Sequence, residues 1–327
     1  MSPSNKALWL SVAIVAGGVL PILLYGFNAF QMAGGPAAGT SGANPASEVL
    51  TLHSMSVAEQ WLAVITGFGI KPLYMLISLG LVGWLGRQRA LDLTALRWGL
   101  ILFWLGEAAC AADYLFFGGH SDFWEFLHSY GMAVGFSFVT FAVIEGVDTR
   151  IINYSAPWER CTLVNLCRTC AKYADAPCKL RQLFAVLLPA MIVVAILPLC
   201  SRLQAVAYHV NLFGTTQTYA QPLSCQLFES RYCPLLATGL LTASWLVLWW
   251  KREDPVALAK ILFAAAVGPL SFGLVRLFLF STFRDNLVWF DVWEEVTELL
   301  FTLAVTYVLW IFRDSLFAKE PSPRPSQ

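Results

Sequence analysis

The chain has 327 residues, of which 57% are hydrophobic and 13% are charged, and its formal net charge at pH 7 is zero. Soluble globular proteins carry about 25% charged residues, so this composition excludes an ordinary soluble domain and indicates a multi-pass membrane protein. The zero net charge excludes little, because in a membrane protein the charge of each connecting segment matters more than the sum. The eight cysteines are too few and too scattered for a secreted disulfide scaffold.

A helix that crosses a membrane needs about 20 mainly apolar residues. Eight segments meet this requirement, some of them through polar interruptions. They are residues 7–30, 61–86, 98–119, 123–146, 183–203, 234–250, 261–280 and 292–312. The first follows a lysine, as a signal peptide does, but its apolar core exceeds the roughly 7 to 15 residues of a signal sequence. The sequence therefore predicts an all-α fold with about eight transmembrane helices, the first of them retained.

The distribution of lysine and arginine predicts the orientation. With the N-terminus inside, sixteen of the 21 basic residues fall in inner segments and three in outer segments, and Lys71 and Arg276 fall within spans. Both termini are then cytoplasmic, in what we expect to be a bacterial inner membrane. Lys71 lies toward the outer surface in this scheme, and we interpret it as a snorkelling side chain that reaches the headgroups.

The two halves of the chain resemble each other. A shift of 162 residues aligns Pro72 with Pro234, and a shift of 169 aligns the DFWE of 122–125 with the DVWE of 291–294. Because each half would contain an even number of spans, the halves would have the same orientation and be related by an axis along the membrane normal. The predicted segments are a first four-helix membrane repeat (1–147), a cytoplasmic cysteine-rich hinge (148–181), a second four-helix repeat (182–315) and a polar tail (316–327).

Cysteines mark two connecting segments. The hinge holds four of them with the spacing C-x5-C-x2-C-x7-C, namely Cys161, Cys167, Cys170 and Cys178. Four thiolates in a reducing compartment favour a metal site, so we predict an iron–sulfur cluster or zinc there. The spacing matches neither the bacterial ferredoxin pattern nor a zinc ribbon, and unliganded structural thiols are the alternative. In the segment predicted to be external, Cys225 and Cys233 predict a disulfide, and Cys200 is an alternative partner.

Ionisable residues inside predicted spans are costly and mark function by default, and three of them are candidates for proton handling. Glu107 and Asp113 lie in the third span and Arg276 in the seventh. We predict that these residues handle protons. A structural alternative is an ion pair between Arg276 and Asp113, which lies near the corresponding position of the other half.

The outer ends of the fourth and eighth spans are rich in acidic residues. Residues three apart share a helix face, so Glu125 and His128 can present their side chains together, as can Glu295 and Glu298. Such pairs on neighbouring helices build carboxylate-bridged metal sites in helix bundles. We therefore predict an outer-side metal ion held by Glu125, His128, Glu295 and Glu298. The alternative is that these acidic groups lie in headgroup water near helix N-termini, which favour negative charge.

The leading functional prediction is a membrane redox protein, or a subunit of a membrane redox complex, that passes electrons between the hinge and the outer Glu/His site. These sites would lie about 30 Å apart, so the scheme needs a further cofactor or protein partners. One alternative is a transporter or channel for a cation or a small polar solute, with a structural hinge. The other is a non-catalytic scaffold subunit. Membrane lipid is the expected surrounding, and nucleic acid is not an expected partner because the basic residues lie beside spans.

Overall fold

A computed structural model describes residues 52–117, 121–147, 179–201, 203–250 and 255–313. This part of the chain is mostly helical and contains one three-stranded sheet. The predicted first span and the polar tail lie outside the described residues. So do the four hinge cysteines, Cys161, Cys167, Cys170 and Cys178.

The first half of the chain forms three helical rods. The first rod contains α1 (Val57–Ile65), a π-helical segment (Thr66–Ile70) and α2 (Lys71–Leu85). The second contains α3 (Leu91–Ala112) and a π-helical segment (Asp113–Phe117), and the third is α4 (Asp122–Gly146). A capping box starts α1, because Ser56 Oγ accepts from Glu59 N while the Glu59 carboxylate accepts from Ser56 N.

The second half begins with α5 (Lys179–Ile196), which ends in a 3-10 turn (Leu197–Cys200). After two strands comes a rod of α6 (Leu223–Leu227), a π-helical segment (Phe228–Tyr232) and α7 (Cys233–Trp250). The last helices are α8 (Pro255–Phe283) and α9 (Leu287–Ile311). The π segments of the α1–α2 and α6–α7 rods start at residues 66 and 228, so they are 162 residues apart. This is the shift that aligns Pro72 with Pro234.

Among the described residues, five helical segments are long and apolar enough to cross a membrane. They are Val57–Leu85, Leu91–Phe117, Asp122–Gly146, Leu223–Leu248 and Val256–Phe283. They correspond to the second, third, fourth, sixth and seventh predicted spans and indicate a multi-pass membrane protein. Large apolar side chains on their outer faces are exposed, for example Leu76 (68%), Phe116 (78%) and Phe278 (67%), which is consistent with contact to lipid.

Glycines allow close contact between α3, α4 and α8. A Cβ on Gly131 of α4 would lie 2.8 Å from Gly106 Cα of α3, and one on Gly268 of α8 would overlap with Ser137 Oγ of α4. Small residues at such positions let helix backbones approach closely in a membrane. Helix α4 therefore packs between α3 and α8.

A sheet covers one end of the bundle. Strand β1 (Leu52–His53) pairs in parallel with β2 (Val206–Leu212), which pairs antiparallel with β3 (Thr215–Gln221). The turn between β2 and β3 consists of Phe213 and Gly214, whose φ values of 48° and 88° give the mirror-image geometry that suits a two-residue hairpin. The prediction of an all-α fold missed these strands.

The β2–β3 hairpin packs on the ends of α8 and α9. Tyr208 and Val210 of β2 are buried in one cluster with Leu279 and Phe290. Burial also raises the pKa of the Tyr208 hydroxyl, which accepts a hydrogen bond from Leu287 N. We call the end of the bundle that carries this hairpin the hairpin end, and the end where α2, α4 and α9 finish the opposite end.

Candidate functional site

Ionisable side chains gather inside the bundle toward the hairpin end. We define the acidic cluster as Lys71, Tyr74, Glu107, Glu125, His128, Glu229, Arg276, Glu294, Glu295 and Glu298. Glu107 lies ten residues before the Phe117 end of its rod, which is about 15 Å along the helix. Glu107 is 0% exposed and His128 is 1% exposed. At this depth an ionisable group needs compensating partners.

The two corresponding π segments position members of the cluster. Lys71 follows Thr66–Ile70 directly, and Glu229 lies within Phe228–Tyr232. Single π-helical turns inside α-helices are frequent at functional sites. Lys71 is only 9% exposed and its ammonium group is paired inside the bundle, so the interpretation of Lys71 as a snorkelling side chain is wrong. Neither Tyr74 nor Glu229 was predicted from the sequence as a site residue.

Lys71 and Tyr74 join α3 to α9. Lys71 Nζ donates to Glu107 Oε2 at 2.6 Å and to Glu295 Oε1 at 2.7 Å. The Tyr74 hydroxyl lies 2.5 Å from Glu107 Oε2 and 2.5 Å from Glu295 Oε2. A hydroxyl carries one hydrogen, so it donates to one of these carboxylates at a time. Tyr74 therefore lies between Glu107 and Glu295 and joins the two carboxylates.

Arg276 joins α8 to three glutamates. Its guanidinium contacts the Glu294 carboxylate, and Nε and Nη2 lie 3.2 Å from Glu229 Oε1 and 3.6 Å from Glu125 Oε1. Among the described residues these glutamates are its ion-pair partners, so the predicted pair of Arg276 with Asp113 does not form. Asp113 Oδ1 instead accepts from Ser121 N at 3.1 Å.

Aromatic rings enclose the Arg276 guanidinium. Its carbon lies 5.3 Å from the ring centre of Phe272 and 5.5 Å from that of Phe290. Glu125 and Glu294, which meet at this guanidinium, are the corresponding glutamates of the two DxWE segments. Each of the two DxWE segments therefore contributes one carboxylate to the same arginine.

His128 connects the arginine to Glu107. Arg276 Nη2 lies 3.2 Å from His128 Nε2, and because a guanidinium only donates, Nε2 is the acceptor. The ring hydrogen is then on Nδ1, which donates to Gly106 O at 3.2 Å. Nδ1 also approaches Glu107 Oε1 to 3.3 Å. In this arrangement the imidazole is neutral.

The predicted metal ligands do not come together as one set. Glu125 contacts Arg276, and Glu295 contacts Lys71 and Tyr74. His128 and Glu298 lie instead with Glu107, and one ligand atom from each of these three residues lies within 4.8 Å of the other two. Glu107 Oε1 and Glu298 Oε2 are buried and have no hydrogen-bond partner. The group that can hold a cation is therefore Glu107, His128 and Glu298.

Aromatic side chains close the cluster on the side of the opposite end. We define the aromatic layer as Phe103, Phe136, Phe272 and Phe301. The ring centres of Phe103 and Phe136 lie 5.2 and 5.3 Å from that of Phe301, and Phe272 belongs to the same buried group as Phe103. On each of the four helices the phenylalanine lies beyond the charged residue in the direction of the opposite end. The layer therefore separates the acidic cluster from that end.

A shallow, solvent-open cleft at the hairpin end borders the cluster at Glu125. It lies between α4 and the α6 rod, and its lining also includes Ser129 and Cys225. The Glu125 side chain is 30% exposed, whereas that of Arg276, which it contacts, is 7% exposed. Glu125 is thus the exposed member of the group of side chains around Arg276.

Cys225 and Cys233 lie on one continuous rod and are both free thiols. Eight residues of helix separate them by about 12 Å, whereas the Cα atoms of a disulfide lie within about 7 Å. The predicted disulfide between them does not form in this structure.

The fold and the cluster indicate a class of protein, a multi-pass helical membrane protein with a buried group of glutamates. The chain matches no protein-family model, no curated protein and no solved structure. Its function therefore has to be argued from the geometry of the acidic cluster.

Proposed function

We propose that this protein transports a cation across the membrane and that the acidic cluster is its binding site. The observation that supports this is the charge balance. Within the described residues, the cluster contains six glutamates but only two permanently charged cations, Lys71 and Arg276, because His128 is neutral. In an interior shielded from water, the surplus negative charge needs protons or a bound cation. Exchange of one for the other is the elementary step of coupled transport.

One-sided access supports the same proposal. The cleft borders the cluster at Glu125 on the hairpin end, and the aromatic layer blocks the opposite end. A transporter needs a central site that opens to one side at a time. In this proposal transport requires Phe103, Phe136 and Phe301 to separate.

We also propose that the bundle consists of two tandem four-helix repeats with eight spans, in which α5 and α9 are the fifth and eighth. Support comes from the π segments 162 residues apart and from the meeting of Glu125 and Glu294 at Arg276. Repeat transporters bind their substrates near the interface between repeats. The cytoplasmic location of both termini and the bacterial inner membrane remain predictions.

Ion flux in vesicles tests the transport proposal. Purified full-length protein is reconstituted into liposomes that contain a pH-sensitive or divalent-cation-sensitive dye, and a gradient of protons or Mn²⁺ is imposed. We expect protein-dependent flux that falls about 10- to 100-fold in Glu298→Gln, as removal of a metal-binding interaction does. Glu145→Gln, a buried glutamate outside the cluster, is the matched control and should retain flux. Flux no faster than in empty liposomes for both cations contradicts transport. Equal protein-dependent flux in Glu298→Gln and the native chain contradicts the acidic cluster as the binding site.

A membrane redox protein is the second proposal, and it rests on the four hinge cysteines rather than on the cluster. Elemental analysis and a visible spectrum of anaerobically purified protein test it, beside a variant with Cys167→Ser and Cys170→Ser. Iron with charge-transfer absorption that disappears in the variant supports an iron–sulfur site and a search for protein partners. Zinc alone, or no metal, makes the hinge structural. A scaffold subunit would show neither flux nor redox-active iron.

A further inference from the structure

We infer that Glu107, His128 and Glu298 bind one divalent transition-metal ion of the Mn²⁺, Fe²⁺ and Zn²⁺ class. The role of this ion as the transported cation rests on the proposed function, whereas its binding does not. The three ligands come from α3, α4 and α9, so the ion would join three helices at the centre of the cluster.

Two carboxylate oxygens at this position lack a donor. Glu107 Oε1 and Glu298 Oε2 have no hydrogen-bond partner, and the two residues are 0% and 6% exposed. A buried polar atom without a partner costs about 1–3 kcal/mol, and more when it is charged. One carboxylate oxygen of each residue lies within 4.8 Å of one from the other residue and of a ring nitrogen of His128. A cation between them would satisfy both.

The spacing suits a small divalent ion. Bonds from Zn²⁺ to nitrogen and oxygen are about 2.0–2.2 Å, so ligand atoms on opposite sides of such an ion are about 4.2 Å apart. The three ligand atoms already lie within 4.8 Å of one another. Glu107 Oε1 and His128 Nδ1 are 3.3 Å apart, a separation typical of adjacent ligands. Gly106 O, 3.2 Å from the same nitrogen, is a fourth potential ligand atom beside the site.

The donor set selects the class of ion. Mg²⁺ and Ca²⁺ prefer oxygen ligands throughout, whereas a mixture of imidazole nitrogen and carboxylate oxygen suits Mn²⁺, Fe²⁺ and Zn²⁺. Two carboxylates also balance a charge of +2, which matters in an interior of low dielectric constant. The Glu107 and Glu298 pair provides this balance.

Metal binding would rearrange the contact between His128 and Arg276. A metal on Nδ1 requires the ring hydrogen to move from Nδ1 to Nε2, without a change in the number of protons on the ring. Nε2–H would then face the Arg276 Nη2 donor, now 3.2 Å away, so the guanidinium must withdraw toward Glu229 and Glu125. Nε2–H can instead donate to Glu294 Oε1, which lies 3.8 Å from Nε2 in this structure.

His128 would then bind the metal through one ring nitrogen and donate from the other to the Glu294 carboxylate. This arrangement of carboxylate, histidine and metal is common in metalloproteins. Metal binding at His128 would therefore also change the position of Arg276, which contacts Glu125 at the hairpin-end cleft. The bound ion would thereby alter the access route through which it entered.

Mn²⁺ titration of the purified full-length protein tests the inference. Mn²⁺ suits carboxylates and binds thiolates weakly, so the hinge cysteines do not compete, and excess Mg²⁺ suppresses weak oxygen-only sites. Loss of the free Mn²⁺ signal in electron paramagnetic resonance gives the stoichiometry, for which we expect one ion per chain. Hyperfine coupling from a directly bound nitrogen identifies the imidazole, and this coupling should disappear in His128→Gln.

Variants separate loss of the site from loss of the fold. Glu298→Gln should weaken Mn²⁺ binding at least about 100-fold, because even an indirect contact to a metal ligand is worth about 10- to 100-fold. It should also raise the unfolding temperature of the metal-free protein, since it removes a carboxylate from among other carboxylates. Glu294→Gln should weaken binding about 10- to 100-fold and retain the nitrogen coupling. Glu145→Gln should bind Mn²⁺ as the native chain does.

The possible results distinguish the metal site from the proposal of cation transport. Absence of Mn²⁺ binding, equal binding in Glu298→Gln, or bound Mn²⁺ without nitrogen coupling overturns the metal site. If protons still cross the vesicle membrane in that case, cation transport stands without the metal. Conversely, one bound Mn²⁺ with the expected variant pattern supports the site, and the absence of any flux then overturns transport alone.

Discussion

The acidic cluster and the Lys260–Glu145 ion pair are both buried groups of charges, but they differ in charge balance. Lys260 and Glu145 are 1% and 2% exposed, and Lys260 Nζ lies 3.3 Å from Glu145 Oε2. This pair joins α8 to α4 near the opposite end and places a cation against a carboxylate. The cluster has six glutamates for two permanent cations. Burial is common to both groups, so the imbalance of charge, and not burial, is the observation that supports the function proposed for the cluster.

Arg276→Met should be the most destabilising single substitution, because it leaves Glu125, Glu229 and Glu294 without their shared cation. Removing one partner from a buried ion pair costs about 3–5 kcal/mol. We expect a loss of stability of at least this size, measured as thermal unfolding in detergent. Arg284→Met, at an exposed arginine whose side chain donates to Gln204, is the control and should unfold as the native protein does.

Lys260→Met should also destabilise the protein by about 3–5 kcal/mol, since it leaves the Glu145 carboxylate buried without that cation. Adding Glu145→Gln should restore most of the loss, because a neutral pair needs no counter-charge. The equivalent repair of the cluster, Glu294→Gln in the Arg276→Met chain, should restore little, since Glu125 and Glu229 remain. Equal recovery in both double variants would remove the distinction between the two regions.

Tyr74→Phe tests the contribution of the hydroxyl that joins Glu107 to Glu295. The variant removes the hydroxyl between Glu107 and Glu295, and a hydrogen bond to a charged group is worth about 1.5–3 kcal/mol. We expect a loss of this size in chemical unfolding. Tyr130→Phe is the matched control, because the Tyr130 hydroxyl has no hydrogen bond to the described residues and the same deletion should change little. A Tyr74→Phe protein as stable as the Tyr130→Phe control would mean that the hydroxyl does not stabilise the contact between Glu107 and Glu295.

Gly268→Ala tests whether the two regions depend on the same helix contact. Gly268 lies eight residues after Lys260 and eight before Arg276, and its added Cβ would overlap with Ser137 Oγ and Ala133 O. Overpacking of this kind costs about 1–3 kcal/mol. We expect that loss in thermal unfolding, together with weaker Mn²⁺ binding. Gly239→Ala, where nothing lies within 4 Å of the new Cβ, should be neutral or stabilise the protein by about 0.4–1 kcal/mol.

Hydropathy predicted the spans that can be recognised from the length of an apolar segment alone. The predicted spans 61–86 and 123–146 correspond to Val57–Leu85 and Asp122–Gly146. The sixth span was predicted to start at 234, whereas its rod starts at Leu223, because Glu229 and Arg231 lower the local hydropathy. A hydropathy scale does not register that Glu229 is compensated by Arg276 on another helix.

The small sheet could have been recognised from the sequence. Apolar and polar residues alternate over 208–212, which read YHVNL, and Phe213-Gly214 is a two-residue connection to the next run. For this external segment the sequence analysis predicted only a disulfide between Cys225 and Cys233. The alternation of apolar and polar residues therefore indicated a strand, which the cysteine spacing did not.

The candidate site was predictable only in part. Helical spacing brought Glu295 and Glu298 to one face, but spacing along a helix does not determine which neighbouring helix that face contacts. Glu107 became a partner of Glu298 because α3, α4 and α9 converge, which is a property of the tertiary packing. The position of Lys71 did indicate a site residue. It lies ten residues into a predicted span, which is too deep for its side chain to reach the headgroups.

The contacts that complete the cluster join residues made at very different times. Lys71 and Glu295 are 224 residues apart in the chain, yet they form one hydrogen-bonded pair. At about 5–20 residues per second, the ribosome reaches Glu295 roughly 10–45 s after Lys71. During that interval Lys71 and Glu107 are already in the nascent chain without the carboxylate of α9. Insertion of the first helices must therefore tolerate buried charges whose partners have not yet been synthesised.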